Sequence, residues 1–447
     1  MSTTAPVQVT ELPFRGHFIA QEHHLNARVS PRKATENAVH DISIKPTQDV
    51  LLLKGFREKY TLVKNHAVPK ILHQDEILVK VIAIGLNPID WKAPAFSFGV
   101  PCLPWINGRD LAGRVIKVSE GCSRVKVGDV VLVPSTDYRD IRKAAFQEYA
   151  IATYYNAARI PPTISRSASA ALGVAFVTSA LALGVPFGLE FSAPVSPTRP
   201  RGPNLPKILG ETDAETIPAD VRDQCFASAE KSQRIKRGDW LAIWGASTTT
   251  GYIMLQLAKL CGVRVICVAD VARHGAKLLD AGADLLVDRQ DTSRAVEIIR
   301  GVTGGGQKLR FAIDTVGRET AALLQGVLTA SASETDDTSG ASDQTPSQSQ
   351  SPSQAHLLGL TGLPKDEQRD PRIRYHTVPI KIFHSSARVG EALVTWLEEL
   401  LRTHSLRLPE VVHAEGGLAG INDALERLRN GSVSGKRIVV ELEKEIL

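Results

Sequence analysis

The pattern of apolar and polar positions divides the chain into two main parts. From Val50 onward, short β-branched or apolar runs alternate with turn residues, as in "VLLLKG", "YTLVKN" and "EILVKVIAIGLN". Such runs predict antiparallel strands of a bent sheet or partial barrel. We therefore expect residues 50–160 to form an all-β module. The run "ASAALGVAFVTSALALGV" that follows predicts a buried helix whose small residues permit close packing.

The rhythm changes at Asp239, where predicted strands alternate with predicted helices. The strands are "WLAIWGA", "RVICVAD", "DLLVDR" and "LRFAIDTVG", and the helices between them are "GYIMLQLAKLCG", "ARHGAKLLDAGA" and "SRAVEIIRGVTG". This alternation predicts a parallel sheet covered on both faces. Further along, "HLLGLTG" and "IKIFH" are predicted as strands, "GEALVTWLEELLRTH" and "INDALERLRNG" as amphipathic helices, and "GKRIVVELE" as a last strand.

Three segments interrupt these patterns. Residues 1–46 are polar and weakly periodic, which predicts an extension with little structure of its own. Residues 190–232 contain "APVSPTRPRGPNLP" and no clear period, so we interpret them as an insertion that is ordered only in part. Residues 330–355 are rich in Ser, Gln, Asp and Thr and lack large apolar side chains. Because such a segment cannot offset its ordering entropy, we predict a disordered surface loop there.

Composition narrows the class of protein. The chain has 447 residues, 43% hydrophobic and 23% charged, with scattered basic residues and a net charge of +5, so we expect no nucleic-acid surface. The five cysteines form no CxxC pair, which favours reduced thiols in an intracellular protein. No apolar run approaches the roughly 20 residues of a membrane span, and the N-terminus does not resemble a secretory signal. We expect a cytoplasmic protein without a membrane partner.

The stretch "IWGASTTTGY" carries the clearest chemistry. A glycine turn between a strand and a helix lets backbone N–H groups approach a phosphate, and the helix N-terminus adds a favourable dipole. The stretch departs from the GxGxxG pattern, but it follows a predicted strand and opens a βαβ series. It therefore predicts a dinucleotide site formed by Gly245, Ser247, Thr248, Thr249, Thr250 and Gly251.

The choice between the two nicotinamide dinucleotides depends on the tip of the second strand. An acidic residue there holds a ribose diol, whereas a small residue with a basic neighbour admits a 2′-phosphate. We place Ala269 at the tip and Asp270 one position beyond, with Arg273 and His274 close enough to meet a phosphate. This arrangement favours NADPH over NADH, provided that the Asp270 side chain turns to solvent or caps the following helix.

Taken together, these patterns resemble the medium-chain dehydrogenase/reductase superfamily. The resemblance is narrower to its zinc-free quinone/enoyl reductase branch, including fungal trans-acting enoyl reductases and alcohol dehydrogenase-like proteins, and it covers roughly residues 48–190, 233–329 and 356–447. The motifs that carry it are "GLNPIDWK", "GRDLAGRVIKV", "VKVGDVVL", "FQEYA", "GASTTTG", "LLDAGADLLVD", "AIDTVG" and "GLAGINDALERLRNGSVSGKRIVV".

The resemblance implies an α/β architecture in which a β-rich GroES-like catalytic domain is split by an inserted Rossmann domain, a doubly wound parallel sheet. The active site is expected in the cleft between them. The expected boundaries are an extension at 1–46, a first catalytic part at 47–185, an insertion at 186–235, an NADP-binding domain at 236–384 with a disordered loop at 330–355, and a closing catalytic part at 385–447.

Zinc-dependent members of this family hold their metal with Cys and His ligands. Matched motif to motif, the corresponding positions here are Asn87, Arg109 and about Val174, and the cysteine-rich structural zinc lobe is missing. An arginine in the site would repel the cation. We therefore expect no metal, against the alternative of a zinc site rebuilt from His66, His73 or Cys102.

Without a Lewis acid, the resemblance implies reduction of an activated C=C bond of the enoyl, enone or quinone type, as in fungal secondary metabolism. Hydride addition produces an enolate that needs hydrogen-bond donors and a proton. The neighbourhood "APAFSFGVP" has phenylalanines where some relatives have a catalytic tyrosine, so Lys92 remains as the titratable candidate and Asn87 as an orienting group.

The resemblance also implies further cofactor contacts at Thr178, Asp314, Val316 and Leu360. The expected partner is a small-molecule or carrier-bound enoyl substrate, and the expected assembly is a monomer or homodimer. Two alternatives stay open at this point: a zinc-type alcohol dehydrogenase-like protein acting on alcohols and carbonyls, and a cofactor-binding partner protein with little turnover.

Overall fold

The computed structural model describes residues 44–122, 124–134, 137–306, 308–333 and 354–443. Within them no helix combines the length and the apolar surface that crossing a bilayer requires. The strands are β1 (Thr47–Leu53), β2 (Thr61–Ala67), β3 (Glu76–Gly85), β4 (Trp105–Ile106), β5 (Asp110–Val118), β6 (Val130–Pro134), β7 (Tyr149–Thr153), β8 (Ala158–Arg159), β9 (Trp240–Trp244), β10 (Arg264–Ala269), β11 (Leu285–Asp288), β12 (Leu309–Asp314), β13 (Ala355–Gly359), β14 (Ile373–His376), β15 (Val411–Ala414) and β16 (Arg437–Glu441).

The helices lie mainly in the second half of the chain. They are α1 (Pro88–Phe96), α2 (Arg166–Ala170), α3 (Gly173–Gly184), α4 (Leu205–Gly210), α5 (Ala219–Cys225), α6 (Thr249–Leu260), α7 (Val271–Asp280), α8 (Thr292–Val302), α9 (Arg318–Ser333), α10 (Ile382–Ser385), α11 (Ala387–Arg402) and α12 (Ile421–Arg429). The run predicted as one buried helix after the β module is two helices, α2 and α3, separated by a short turn.

The β-rich part is built from two sheets. One has the strand order β2-β1-β4, and the other has the order β15-β16-β3-β5-β6-β8 with β7 also paired to β3. The pairs among the first eight strands are antiparallel, as the sequence predicts. The last strand, β16, pairs antiparallel with β3, so that Val439 lies opposite Gly85. This pairing returns the C-terminal segment to the β-rich part, the arrangement expected of a GroES-like domain split in sequence.

The second large sheet is parallel throughout and has the order β11-β10-β9-β12-β13-β14. Successive residues of β9 face opposite sides: Leu241 and Ile243 belong to one hydrophobic cluster, whereas Ala242 and Trp244 belong to another. Because helices cover both faces, the strand is apolar at every position rather than alternating. The fold is therefore α/β, with a doubly wound Rossmann-type sheet beside the β-rich part.

One predicted strand is wrong. Residues of "IKIFH" form α10, and the parallel sheet ends instead with β14, which the sequence analysis did not identify. Ile382 and Phe383 are both fully buried. A short apolar run of this kind has the same composition in a buried helix and in a buried strand, so the pattern alone does not separate them.

The prediction of partial order between residues 190 and 232 is also wrong. This segment contains α4 and α5 and is described throughout. Leu205, Leu209 and Ile217 are buried in the cluster that also holds α11, and the rings of Phe191 and Trp396 lie 4.6 Å apart. The apolar residues that anchor the segment are too widely spaced to show a period. The loop predicted at 330–355 is wrong at both ends, because α9 continues to Ser333 and β13 begins at Ala355. Residues 1–43 and 334–353 lie outside the described residues, so the predictions for the extension and for the rest of the loop stay predictions.

A pair of stacked histidines lies inside the parallel sheet. His356 on β13 and His376 on β14 are fully buried, and Nδ1 of His356 lies 3.0 Å from Nε2 of His376. The outward nitrogens contact the side-chain oxygens of Gln233 and Gln224, on the segment before β9 and on α5. Burial lowers the pKa of His356 to about 3 and that of His376 to about 2.

We expect this pair to make folding acid-sensitive between pH 7 and pH 5. Below about pH 6.5 the imidazoles of the unfolded chain take up protons, whereas those of the folded protein stay neutral. Because the unfolded state then binds more protons, the free energy of unfolding decreases as the pH is lowered. The loss is about 2 kcal/mol per imidazole over this interval. Denaturant unfolding at pH 7 and pH 5 measures the change in the free energy of unfolding. This change should be smaller in the double variant His356→Asn/His376→Asn than in the wild type. The control His404→Asn should show the wild-type change, because His404 is exposed and has a left-handed backbone conformation that Asn tolerates.

Candidate active site

A cleft of about 960 Å³ lies where the carboxyl ends of the parallel strands face the β-rich part. On the side of the parallel sheet it is bounded by the ends of β9, β10, β12 and β13, and on the opposite side by α1 and the segment that enters β16. Open parallel sheets bind ligands at this edge, where the strand order reverses. Here the reversal falls between β9 and β12.

The glycine-threonine turn after β9 forms one wall of the cleft. Gly245 has φ +82°, and a Cβ there would lie 2.3 Å from Thr315 Oγ1. A Cβ on Gly251 would lie 2.6 Å from the Gly245 carbonyl oxygen, so both positions need glycine. The Thr248 hydroxyl caps α6 by accepting a hydrogen bond from the Gly251 N–H at 3.0 Å. The turn thus presents backbone and hydroxyl donors at a helix N-terminus, a combination that fits a phosphate.

Of the predicted cofactor residues, most line this cleft. Those that do are Gly245, Ser247, Thr248, Thr249, Thr250, Asp270, Val316 and Leu360. Four do not, and they lie behind the wall or beside it: Gly251, Arg273, Thr178 and Asp314.

Asp314 does not line the cleft but holds the loop that does. Its side chain is fully buried at the end of β12, and Oδ1 accepts hydrogen bonds from the N–H groups of Val316 at 2.9 Å and Gly317 at 2.7 Å. Asp314 therefore shapes the loop that carries Val316 into the cleft. Thr178 is half-buried on α3, next to Ser179, whose hydroxyl donates to the Thr250 carbonyl at 3.1 Å.

The tip of β10 forms a separate part of the cleft. Ala269 ends the strand, and Asp270 caps α7 by accepting a hydrogen bond from the Arg273 N–H at 3.1 Å. This cap is the condition under which the sequence favours a 2′-phosphate. Arg273 itself is exposed and does not line the cleft, but Arg289 does. Arg289 follows β11, and its N–H donates to the Ala269 carbonyl at 2.9 Å, so it stands directly beside the strand tip.

Sequence reasoning missed Arg289 because it follows the third strand of the series rather than the second. The signal was available in "DLLVDR": in a parallel sheet the residue that follows a strand lies beside the end of its neighbour, and β10 and β11 are in register from Ile266 and Leu285 onward. Further cleft residues that it missed are Thr292, Thr315, Ser434, Lys436 and Arg437.

Behind the opposite wall of the cleft, formed by α1 and the segment that enters β16, lies a buried polar network. The Asn87 amide donates to Asp110 Oδ2 at 2.9 Å, and its oxygen accepts a hydrogen bond from Arg437 Nη2 at 2.8 Å. Arg437 Nη2 lies 3.8 Å from Asp110 Oδ2, and Asp110 Oδ1 accepts a hydrogen bond from the Val174 N–H at 2.7 Å. The exposed fractions are 3% for Asn87, 0% for Asp110 and 6% for Arg437.

A second carboxylate, that of Asp90, contacts this network through the backbone of Asn87. Asp90 Oδ2 accepts a hydrogen bond from the Asn87 N–H at 2.7 Å, and Oδ1 is buried without a hydrogen-bond partner among the residues that the structure describes. Burial raises the pKa of Asp90 to about 7, opposed by the Asn87 N–H, and raises that of Asp110 to about 6, opposed chiefly by Arg437. Burial also lowers the pKa of the Arg437 guanidinium. The site therefore places a buried cation beside two carboxyl groups whose pKa values burial raises.

Lys92 lines the cleft from α1, with its ammonium 5.8 Å from the Trp91 ring. Phe96 and Phe98 also line it and are 65% and 45% exposed, so this end of the cleft is largely aromatic. Both catalytic candidates of the sequence analysis, Lys92 and Asn87, thus face the same space as the glycine-threonine turn.

The three positions that the sequence resemblance matches to zinc ligands are only partly together. Asn87 and Val174 line the cleft, whereas Arg109 points away from it, with Nη2 3.4 Å from the Gly99 carbonyl oxygen and the guanidinium 5.7 Å from the Tyr138 ring. In the described part of the chain, no three His, Cys, Asp or Glu side chains are grouped to hold a metal ion. The donors that do converge are amide and guanidinium groups, which zinc does not favour.

Comparisons with known proteins agree with this architecture. Residues 73–162 match the family model "Alcohol dehydrogenase GroES-like domain", and residues 249–332 match "Zinc-binding dehydrogenase". The chain is 27% identical over 399 residues to trans-enoyl reductase resD of Aspergillus sclerotiorum, covering 85% of this chain and 96% of that protein.

Solved structures of low identity share the fold. The CurK enoyl reductase is 15% identical with a TM-score of 0.59, over 88% of this chain and 99% of that one. Mycobacterial Rv1454c, solved in complex with NADPH, is 19% identical with a TM-score of 0.60, over the same shares. The chain therefore combines a GroES-like part with a Rossmann-type part, the two domains that these family models describe, and it is similar in sequence to a fungal trans-enoyl reductase.

We expect Gly245→Ala to weaken binding of the dinucleotide at least tenfold. The added Cβ would collide with Thr315 and with Val316 Cγ2 at 2.7 Å, which displaces the turn from the phosphate position. Gly238→Ala is the matched control, because Gly238 also has a positive φ, +88°, but its Cβ would meet nothing within 4 Å. Fluorescence titration with NADPH should separate the two variants. Equal losses in both would mean that the effect arises from backbone strain rather than from the turn.

Proposed function

We propose that the protein is an NADPH-dependent, metal-independent reductase that reduces an activated C=C bond of the enoyl, enone or quinone type. The observation that carries the proposal is one cleft that joins the glycine-threonine turn to the buried Asn87–Asp110–Arg437 network. The first wall suits a dinucleotide, and the second presents hydrogen-bond donors and a fixed positive charge where zinc-dependent relatives place metal ligands.

The residues of the first wall fit the dinucleotide. The narrow turn at Gly245 and Gly251 leaves room for a pyrophosphate against the N-terminus of α6, and the threonine hydroxyls add donors. Val316, Leu360 and Thr361 would border the nicotinamide end of the cleft. When bound, the dinucleotide supplies the hydride, and the aromatic end around Trp91, Phe96 and Phe98 would hold the apolar part of the substrate.

The second wall favours alkene reduction over alcohol oxidation. Alcohol oxidation in the zinc-dependent members uses a metal to stabilise an alkoxide, which needs anionic or imidazole ligands facing the cleft. The cleft here presents Asn87, Val174 and the Arg437 guanidinium. The positive charge on this wall would polarise a carbonyl conjugated to the double bond, and Lys92 or water would deliver the proton to the α-carbon. A free or carrier-bound enoyl compound meets these requirements equally.

Selectivity for NADPH would follow from the tip of β10. The Asp270 carboxylate is engaged in capping α7, and Arg289 lines the cleft beside Ala269. A guanidinium and a phosphate form charge-assisted hydrogen bonds. We therefore assign the 2′-phosphate chiefly to Arg289, with the exposed Arg273 contributing less.

We expect the purified protein to consume NADPH in the presence of an enone, enoyl thioester or quinone, at a rate that a metal chelator does not change. Absorbance of NADPH measures the rate, and product analysis identifies the reduced double bond. An alcohol dehydrogenase activity abolished by chelator would contradict the proposal. NADPH binding without reduction of any tested substrate would favour a cofactor-binding partner protein instead.

We expect Arg289→Ala to lose roughly tenfold in NADPH affinity and little in NADH affinity, because a hydrogen bond to a charged group contributes about 1.5–3 kcal/mol. Arg273→Ala is the matched comparison, since Arg273 is a similarly exposed arginine nearby that does not line the cleft. Titration of both cofactors against both variants measures the difference. Equal affinity of the wild type for NADH and NADPH would show that the strand tip does not select the phosphate.

A further inference from the structure

Arg437 has a side-chain donor to which no acceptor of the described residues is bonded. Its Nε donates to the Ala171 carbonyl at 3.4 Å and its Nη2 to Asn87 Oδ1 at 2.8 Å. Within the described residues, Nη1 has no protein acceptor, and it is not among the side-chain nitrogens sealed away from the surface without one. Arg437 lines the cleft and is only 6% exposed, so we infer that Nη1 is reached from the cleft.

Of the two described members of the buried network that line the cleft, Arg437 rather than Asn87 has a side-chain donor left for a ligand. Asn87 faces the cleft, but its amide nitrogen is directed to Asp110 and to the Gly85 carbonyl at 3.3 Å. Its oxygen already accepts from Arg437. Asn87 therefore fixes the guanidinium rather than offering a donor of its own. A ligand atom beside Nη1 must be an acceptor, and a negatively charged oxygen would satisfy it best.

We propose that Arg437 is a catalytic residue whose Nη1 donates a hydrogen bond to the substrate carbonyl oxygen and stabilises the enolate that forms on it. The inference rests on the proposed function. Hydride adds to the β-carbon, the π electrons of the C=C bond move to form the enolate, and its charge collects on the oxygen beside Arg437. Arg437 keeps its protons throughout. The α-carbon then takes a proton from Lys92 or water as the carbonyl re-forms, which completes addition of two hydrogens across the double bond.

The surroundings make the guanidinium effective in this role. A preorganised donor in a poorly hydrated site stabilises developing charge more than the same donor in water. Arg437 is held by Asn87, by the Ala171 carbonyl and by Asp110, so it does not reorganise as the oxygen becomes charged. Arginine keeps its charge at every pH of interest, so it acts as a fixed electrophile and leaves proton transfer to another group.

The test must remove the guanidinium without leaving a buried carboxylate unpaired, because an uncompensated buried charge is strongly destabilising. The double variant Arg437→Met/Asp110→Asn meets this need. The oxygen of the introduced amide can accept from the Val174 N–H, and its nitrogen can donate to the Asn87 oxygen after a flip of the Asn87 amide. Arg437→Lys keeps a charge near the same place. Arg124→Met is the structural control, since Arg124 is an arginine of 10% side-chain exposure paired with Glu398, and it does not line the cleft.

Two measurements are made on each variant. Steady-state kinetics with an enone or enoyl thioester should show kcat lower by about 100-fold in the double variant, the usual effect of losing one oxyanion donor, with NADPH affinity unchanged and partial recovery in Arg437→Lys. Arg124→Met should keep the wild-type kcat. In the second measurement, 4-nitrophenol is bound to the protein with NADP⁺ as an enolate mimic. The wild type should increase the phenolate-to-phenol ratio of the bound probe at least tenfold over the double variant.

The outcomes separate the two proposals. A double variant with kcat within threefold of the wild type, or a bound probe that ionises equally in both proteins, overturns the role of Arg437. A wild type that stabilises the phenolate but reduces no activated alkene would support the oxyanion site and refute the proposed reduction. Loss of NADPH binding in the double variant together with kcat would show that Arg437 is structural, which also overturns the inference.

Discussion

The burial of the Arg437 guanidinium is the constraint on which the cleft depends. A charge removed from water is tolerated only when opposite charges and acceptors surround it. Asn87 provides an acceptor and Asp110 a negative charge. The two residues lie near Arg437 because Gly85, at the end of β3, lies opposite both Val439 of β16 and Asp110 of β5. The pairing of β3 with β16 and β5 therefore returns the C-terminal segment to the β-rich part. It also positions Asn87, at the start of α1, beside Asp110 and Arg437 in the cleft.

The parallel sheet provides the first wall of the cleft, with the glycine-threonine turn, for a different physical reason. Its strands are apolar on both faces because helices cover both, so polar groups collect where the strands end. At the reversal of strand order between β9 and β12, Gly245 and Thr315 come within contact, and the hydroxyls of Thr248 and Thr315 lie 3.2 Å apart. The segment between α3 and β9 adds stability to this arrangement, because its buried side chains join the cluster that packs under the sheet.

The second wall of the cleft carries groups that differ from those of a zinc site. The matched family model is named for zinc binding, yet the groups that converge in the cleft are an amide, an aliphatic side chain and a guanidinium. The cation among them, Arg437, is buried beside Asp110 and interacts electrostatically with Asp90. The raised pKa values of both carboxyls reflect how little water reaches them.

The sequence by itself determined the features that are local. The glycine-threonine turn, the strand tip at Ala269 and the cap by Asp270 each depend on residues a few positions apart, so their spacing records their geometry. The tertiary structure decided what depends on strands pairing over long distances. Arg437 lies 350 positions from Asn87, and Arg289 reaches the tip of β10 only through the parallel register of β11. The order between residues 190 and 232 likewise depends on burial against α11, which no local period records. Local patterns encode backbone geometry, whereas the meeting of distant side chains requires the assembled sheets.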